Sequence, residues 1–232
     1  MVSKKQSSAK VVVHIFRHGE RPTGSILAGG LTERGKTQGV SIGVTLANEL
    51  SRSRRKKIVK FYSSDVQRNI DFANIIWSSL HSQVKTRRLN VLGLGTRVRK
   101  RFKYGKIFNQ KRFDKLYGKM PLAEFNKLWV SGKTDPRVTE QPADVLARIR
   151  RNAEEFGARV SKRYRGQPVE VHIVIVTHGD TMGMLRQQIT RRQSMLGKQK
   201  IGFGERIKLT LRGRKGAYES RGFKRRFVAR RK

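Results

Sequence analysis

Two histidines, each followed by glycine and each closing an apolar run, are the residues best placed to do chemistry. The first is His18, in Val11-Val12-Val13-His14-Ile15-Phe16-Arg17-His18-Gly19. The second is His178, in Val171-His172-Ile173-Val174-Ile175-Val176-Thr177-His178-Gly179. A β-branched run that stops at glycine reads as a buried strand giving way to a loop. Ligands of open α/β sheets bind at such carboxyl ends of strands. Two strands of this kind in one sheet could bring both imidazoles to one edge, with Arg17 adding a positive charge. Gly19 lacks a Cβ, so a ligand can approach backbone N–H groups there. The bland alternative is a pair of satisfied buried histidines. His14 and His172 lie inside the strands and are read as structural.

The elements that must position these residues follow from periodicity and turn signals. Val11 to Phe16, Ile58 to Tyr62 and Val171 to Val176 read as strands. Leu31 to Leu50 reads as an amphipathic helix with Thr32 as N-cap and Val40, Val44, Leu46 and Leu50 as its apolar residues. Asp65 to Leu80 reads as a helix opened by Ser64 or Asp65. Pro121 to Val130 and Gln141 to Tyr164 read as helices, the longer one with Val145, Ile149, Phe156 and Val160 on one face, and Thr181 to Thr190 begins another. Ile207, Leu209 and Leu211 alternate as in a strand, and Phe223, Phe227 and Val228 suit an edge strand.

Four segments together resemble the histidine phosphatase superfamily, the phosphoglycerate-mutase-like proteins. Arg17-His18-Gly19-Glu20 is similar to that family's Arg-His-Gly signature. Leu31-Thr32-Glu33-Arg34-Gly35-Lys36-Thr37-Gln38-Gly39 is similar to its Leu-Thr-x-x-Gly-x-x-Gln segment, and Tyr62-Ser63-Ser64-Asp65-Val66-Gln67-Arg68 to its Ser-Ser-Asp-x-x-Arg segment. Ala73 falls where the family has a small residue, and Thr177-His178-Gly179 is similar to the second histidine segment.

The resemblance implies a three-layer α/β/α sandwich with a mostly parallel central sheet. It implies His18 as nucleophile, forming a phosphohistidine, with Arg17, Arg68 and His178 holding the phosphoryl oxygens and Arg21 adding a further cation. It also implies backbone N–H groups near the anion, from Gly19 and from the helix start after Asp65. It implies no cofactor and no metal. One member of the set departs. The mutase-like branch has an acid four residues before a glycine, and Arg101-Phe102-Lys103-Tyr104-Gly105 places an arginine there. Arginine cannot donate a proton near neutral pH. In the acid-phosphatase branch an aspartate directly follows the second histidine. Here Gly179 intervenes, so Asp180 is a displaced candidate for the acid.

Charge is the second large fact. Lys and Arg number 54 against 16 Asp and Glu, a net charge of +38, with a sequence pI near 11.7. Such a chain repels itself unless a polyanion screens it. There is no cysteine, hence no disulfide and no thiolate metal site. No apolar run approaches the roughly 20 residues that span a bilayer, so no membrane partner is expected. The chain divides into a basic arm (1–10), a histidine-phosphatase-like domain (11–211) with a basic insertion (85–119), and a basic tail (212–232).

RNA contacts are expected from the insertion at Arg97, Arg99, Lys100, Arg101, Lys103, Lys106, Lys111 and Arg112, where Phe102, Tyr104, Phe108, Phe113 and Tyr117 are interleaved. Basic residues with aromatics suit RNA, because guanidinium and ring planes stack on unpaired bases. Equally, these aromatics could pack the insertion onto the core. Further contacts are expected from the tail at Arg212, Arg214, Lys215, Lys224, Arg225, Arg226, Arg230 and Arg231.

The expected function is therefore a structural RNA-binding component of a large ribonucleoprotein, a mitochondrial ribosome above others, built on an inactive phosphatase fold. Its partners would be ribosomal RNA and neighbouring subunits, with a phosphate-containing ligand at His18. Residues 1–10 are basic and lack an acid, which fits a mitochondrial presequence or a simple basic arm; cytoplasm and nucleolus are the alternative sites. Two other functions stay open: an active phosphatase or phosphomutase working through His18, and a module that binds a phosphate or an RNA end without turnover.

Overall fold

The computed structural model describes residues 10–22, 30–64, 66–94, 107–164, 167–190, 201–212, 215–220 and 223–228. Seven strands form one sheet: β1 (Lys10–Arg17), β2 (Lys56–Ser63), β3 (Val91–Leu94), β4 (Val169–Thr177), β5 (Arg206–Arg212), β6 (Lys215–Ser220) and β7 (Phe223–Val228). Their order is β3-β2-β4-β1-β5-β6-β7. β3, β2, β4 and β1 run parallel, and β5, β6 and β7 add an antiparallel ribbon beside β1. The parallel sheet expected from the motifs is thus the core of the sheet. The antiparallel ribbon takes in much of the segment read as a tail, and β7 is its edge.

Among the described residues there are six helices: α1 (Glu33–Ser51), α2 (Gln67–Thr86), α3 (Gln110–Tyr117), α4 (Leu122–Val130), α5 (Pro142–Arg163) and α6 (Gly179–Thr190). β1 and β4 are buried on both faces, as parallel strands under helices must be. Val11, Val13 and Ile15 point with Val171, Ile173 and Ile175 into one cluster that includes Val145 and Ile149 of α5 and Met182 and Leu185 of α6. Phe16, Val174 and Val176 point the other way, against Leu46, Leu50, Phe72 and Ile76 of α1 and α2. Period-2 alternation along each strand therefore builds two cores and three layers.

Two helix expectations change in detail. In α1, Thr32 does cap the helix by accepting from Gly35 N at 3.0 Å. Yet Val40 is 48% exposed, and the buried stripe is Gly35, Gly39, Gly43, Leu46, Ala47 and Leu50. The glycines face α2 closely: a Cβ on Gly39 would lie 2.8 Å from Ile75 Cγ2, and one on Gly43 2.5 Å from Ser79 Cβ. Small residues, not large apolar ones, set this helix–helix contact. In α2 the cap position is Val66, with no side-chain cap bond. Ser64 is not spent on capping: its hydroxyl oxygen accepts from Asn69 Nδ2 and lies 3.1 Å from His178 Nε2.

Candidate active site

Three parallel strands end side by side. Arg17 at the end of β1 is in register with Thr177 at the end of β4, and His18 N donates to Thr177 O at 2.9 Å. Ser64, just past β2, donates its N–H to Val176 O at 3.1 Å. The register alone brings His18, His178 and Ser64 to one sheet edge. The two imidazoles sit with ring centroids 5.7 Å apart, edge to face.

His18 is buried, and its Nδ1 lies 2.7 Å from the carbonyl oxygen of Gly19. A carbonyl only accepts, so Nδ1 carries the proton and Nε2 keeps its lone pair. Burial lowers the His18 pKa to about 4; the Gly19 bond opposes this, and His178, Arg68 and Arg17 reinforce it. The ring is neutral at pH 7 and available as a nucleophile.

The arginines cluster around it. Burial lowers Arg17 from its ordinary value; the charges of Arg21 and Arg68 add to this, while Asp180 and Glu205 oppose it. Burial lowers Arg68 too, again with Arg21 adding. Neighbouring cations thus add to the effect of burial, since a like charge nearby disfavours the charged form. Arg17 Nε and Arg21 Nη1 are buried with no hydrogen-bond partner among the described residues. Such donors cost free energy unless a ligand or water accepts from them.

A turn absent from the sequence expectations holds Arg17. Its Nη1 donates to Ile201 O, its backbone N donates to Glu205 O at 3.1 Å, and its guanidinium stacks on Phe203 at 3.9 Å from the ring centroid. Phe203 also touches His18, with ring centroids 5.7 Å apart. Glu205 fixes the turn by pairing with Arg186 at 3.3 Å and accepting from Gly202 N at 2.8 Å. The glycine-flanked aromatic in Gly202-Phe203-Gly204 was the available signal. Gly204 adopts φ +71°, which favours glycine. On the other side, a Cβ on Gly179 would lie 3.0 Å from Arg17 Nε, so that glycine is what lets the guanidinium lie there.

Gly19 also has a packing task. A Cβ there would lie 2.6 Å from Gly35 O and 2.6 Å from Phe72 Cε2, so its small size makes room for α1 and α2. Asp180 is exposed in the first turn of α6, and its charge acts on Arg17. Asp65 and Arg101 lie outside the described residues.

Asn69 also belongs to the site, and sequence reading missed it. It is fully buried, and its Nδ2 lies 2.9 Å from His178 Nε2. The signal was an amide on the α2 face that otherwise buries Phe72, Ala73, Ile76 and Leu80.

Most of the basic residues expected to meet RNA are not described as side chains. Arg97, Arg99, Lys100, Arg101, Lys103, Lys106, Arg214, Arg230 and Arg231 lie outside the described residues, while Arg212, Lys215, Lys224, Arg225 and Arg226 are placed as backbone on β5, β6 and β7. Lys111 is exposed on α3. Arg112 pairs with Asp135 at 2.9 Å, so part of its charge is answered within the chain. Phe113 and Tyr117 pack against Phe125 at centroid distances of 5.2 and 5.4 Å, whereas Phe108 is 59% exposed. The three interleaved aromatics among the described residues therefore divide between packing and exposure, while Phe102 and Tyr104 lie outside them.

Among the described residues no group of three or more His, Cys, Asp or Glu is arranged to hold a metal ion. Among them, too, no helix is long and apolar enough to cross a membrane.

No protein-family model matches the chain, and no curated protein does. Solved structures do resemble it. A mycobacterial glucosyl-3-phosphoglycerate phosphatase solved with VO3 is 21% identical, with a TM-score of 0.48, covering 95% of this chain and 98% of that one. The protein histidine phosphatase SixA, solved with tungstate, is 11% identical, with a TM-score of 0.46 and coverages of 94% and 96%. YhfR of Bacillus stearothermophilus is 16% identical, with a TM-score of 0.43 and coverages of 90% and 95%.

Proposed function

We propose that the chain carries a phosphoryl-transfer site of the histidine-phosphatase type. The observation that carries this reading is the Gly19 carbonyl on His18 Nδ1, which leaves Nε2 unprotonated among three arginines. In the first step the Nε2 lone pair bonds to phosphorus. The bond from phosphorus to the leaving oxygen breaks, and that oxygen keeps the electron pair and takes a proton. In the second step water bonds to phosphorus and gives a proton to the carboxylate that was left in the first step, the N–P bond breaks, and its electrons return to Nε2. Arg17, Arg21 and Arg68 neutralise the phosphoryl oxygens throughout, and His178 donates a hydrogen bond to them. Asp180 is the acid this reading assigns to the leaving oxygen; Glu205 is committed to Arg186 and the Gly202 amide.

The test is quench-flow with para-nitrophenyl phosphate, trapping acid-labile phosphohistidine. Labelled protein and released phosphate are expected in the wild type, and neither in His18→Ala. Phosphate release that survives His18→Ala overturns the reading.

A second reading rests on a separate observation, the net charge of +38. A chain so basic is proposed to reside on RNA, as a component of a ribonucleoprotein such as a mitochondrial ribosome, with the His18 site either working there or clamping a phosphate. Each neutralised phosphate would add affinity. Sedimentation of a lysate with and without RNase tests it: the chain should travel with large particles and be released by RNase. Sedimentation at monomer size in both sinks it.

A further inference from the structure

Asn69 is polar, fully buried, and directed at a histidine of the site. Its Nδ2 carries two hydrogens. One is donated to Ser64 Oγ, and the other faces His178 Nε2 at 2.9 Å, with His178 Nδ1 farther at 3.5 Å. Ser64 Oγ lies 3.1 Å from the same Nε2. Both partners are themselves fixed. Ser64 is tied through its N–H to β4, and Asn69 N donates to Val66 O at 2.9 Å in the first turn of α2.

The orientation of the amide follows from counting partners. Asn69 Oδ1 is buried without a hydrogen bond among the described residues. Turning the amide over would satisfy Oδ1 but bury two N–H donors with no acceptor in its place. One orphan acceptor costs less than two orphan donors. The amide nitrogen therefore faces the ring, and a nitrogen that accepts from N–H cannot itself carry a proton.

We infer that Asn69, together with Ser64, is a positioning residue that holds His178 as the Nδ1–H tautomer with Nε2 as acceptor. The two histidines of the site then share one tautomer for different reasons: the backbone carbonyl of Gly19 sets it for His18, and a side-chain amide from α2 sets it for His178. An amide sets both the proton and the ring angle while adding no charge beside three arginines, whereas a carboxylate there would neutralise part of the field that receives the phosphoryl group. The inference deepens the phosphoryl-transfer reading and rests on it for its meaning in catalysis.

The test reads the ring directly. Nitrogen-resolved NMR of the full chain, with the His178 signals assigned by their loss in His178→Gln, should show Nδ1 protonated and Nε2 unprotonated in the wild type. Asn69→Asp keeps the shape but replaces the donor with an acceptor, and should move the proton to Nε2. Asn69→Ala should lower kcat for para-nitrophenyl phosphate by about 10²-fold, with a smaller change in KM, because a misplaced group costs on that order. A wild-type His178 protonated on Nε2 overturns the inference whether or not the Asn69 variants fold. So does an Asn69→Ala protein that forms phosphohistidine at the wild-type rate. Absence of phosphohistidine in the wild type overturns the phosphoryl-transfer reading instead, and with it any role of Asn69 in transfer, whichever tautomer is found.

Discussion

His18 Nδ1 and the carbonyl oxygen of the residue that follows it, Gly19, are 2.7 Å apart. A side chain bonded to its own next peptide cannot rotate without breaking that bond. The contact therefore fixes the ring and its proton together, and leaves one nitrogen for chemistry.

The pH profile of transfer follows from that ring. Its pKa is lowered to about 4 in the folded protein, with burial as the chief cause. On the proposed phosphoryl-transfer reading the nucleophile is the neutral form, so the rate should hold steady as pH falls through the ordinary histidine range near 6.5 and drop only as it passes through about 4. A rate limb near 6.5 that vanishes in His18→Ala would contradict the assignment.

Stability should also depend on pH, through His14 and His172. Both are buried, and their ring nitrogens meet at 3.1 Å. Burial lowers both pKa values, that of His14 well below 6.5, with His172, Arg206, Lys208 and Lys10 adding to its shift. The unfolded rings bind protons near 6.5 and the folded ones resist. Their contribution is therefore complete above 6.5 and is lost as pH falls below it. Melting temperature followed downward from neutral pH should decline, and His14→Leu should flatten that decline even where it lowers stability outright.

Gly35→Ala should destabilise the site from a distance. Its new Cβ would lie 2.3 Å from Glu20 O and 2.9 Å from Glu20 N, both backbone atoms that cannot swing aside. Overpacking of this kind costs about 1–3 kcal/mol. Urea denaturation should show that loss, with a fall in phosphohistidine formation at temperatures where the protein is still folded.

RNA affinity should fall steeply with salt. A slope of about −0.7 per neutralised phosphate is expected on a log–log plot for single strands. Fluorescence anisotropy with a single-stranded RNA across a salt series measures it, and a flat line would detach the charge from nucleic acid.

Much of this protein was legible in order along the chain. The runs Val11 to Phe16 and Val171 to Val176 announce their strands because buried parallel strands are apolar on both faces. The alternation of Ile207, Leu209 and Leu211 announces β5, where all three are buried. Arg17, His18 and His178 could be singled out because they close two apolar strand runs, and the structure brings the two imidazoles within 5.7 Å of each other. The helix α3 inside the basic insertion was not legible, since its charges hide the Phe113 and Tyr117 pair that packs on Phe125.

What the sequence determined alone was the inventory: two strand-ending histidines, their arginines, a charge of +38, and the periodicities of most elements. What only the tertiary structure decided was adjacency. Thr177 lies opposite Arg17 because β4 pairs with β1, although the two residues are far apart in sequence. Asn69 meets His178, and Phe203 meets Arg17, for the same reason. Local pattern records which face a residue shows, but hydrogen-bond partners across the fold are set by strand register and helix packing, which no short stretch of sequence contains.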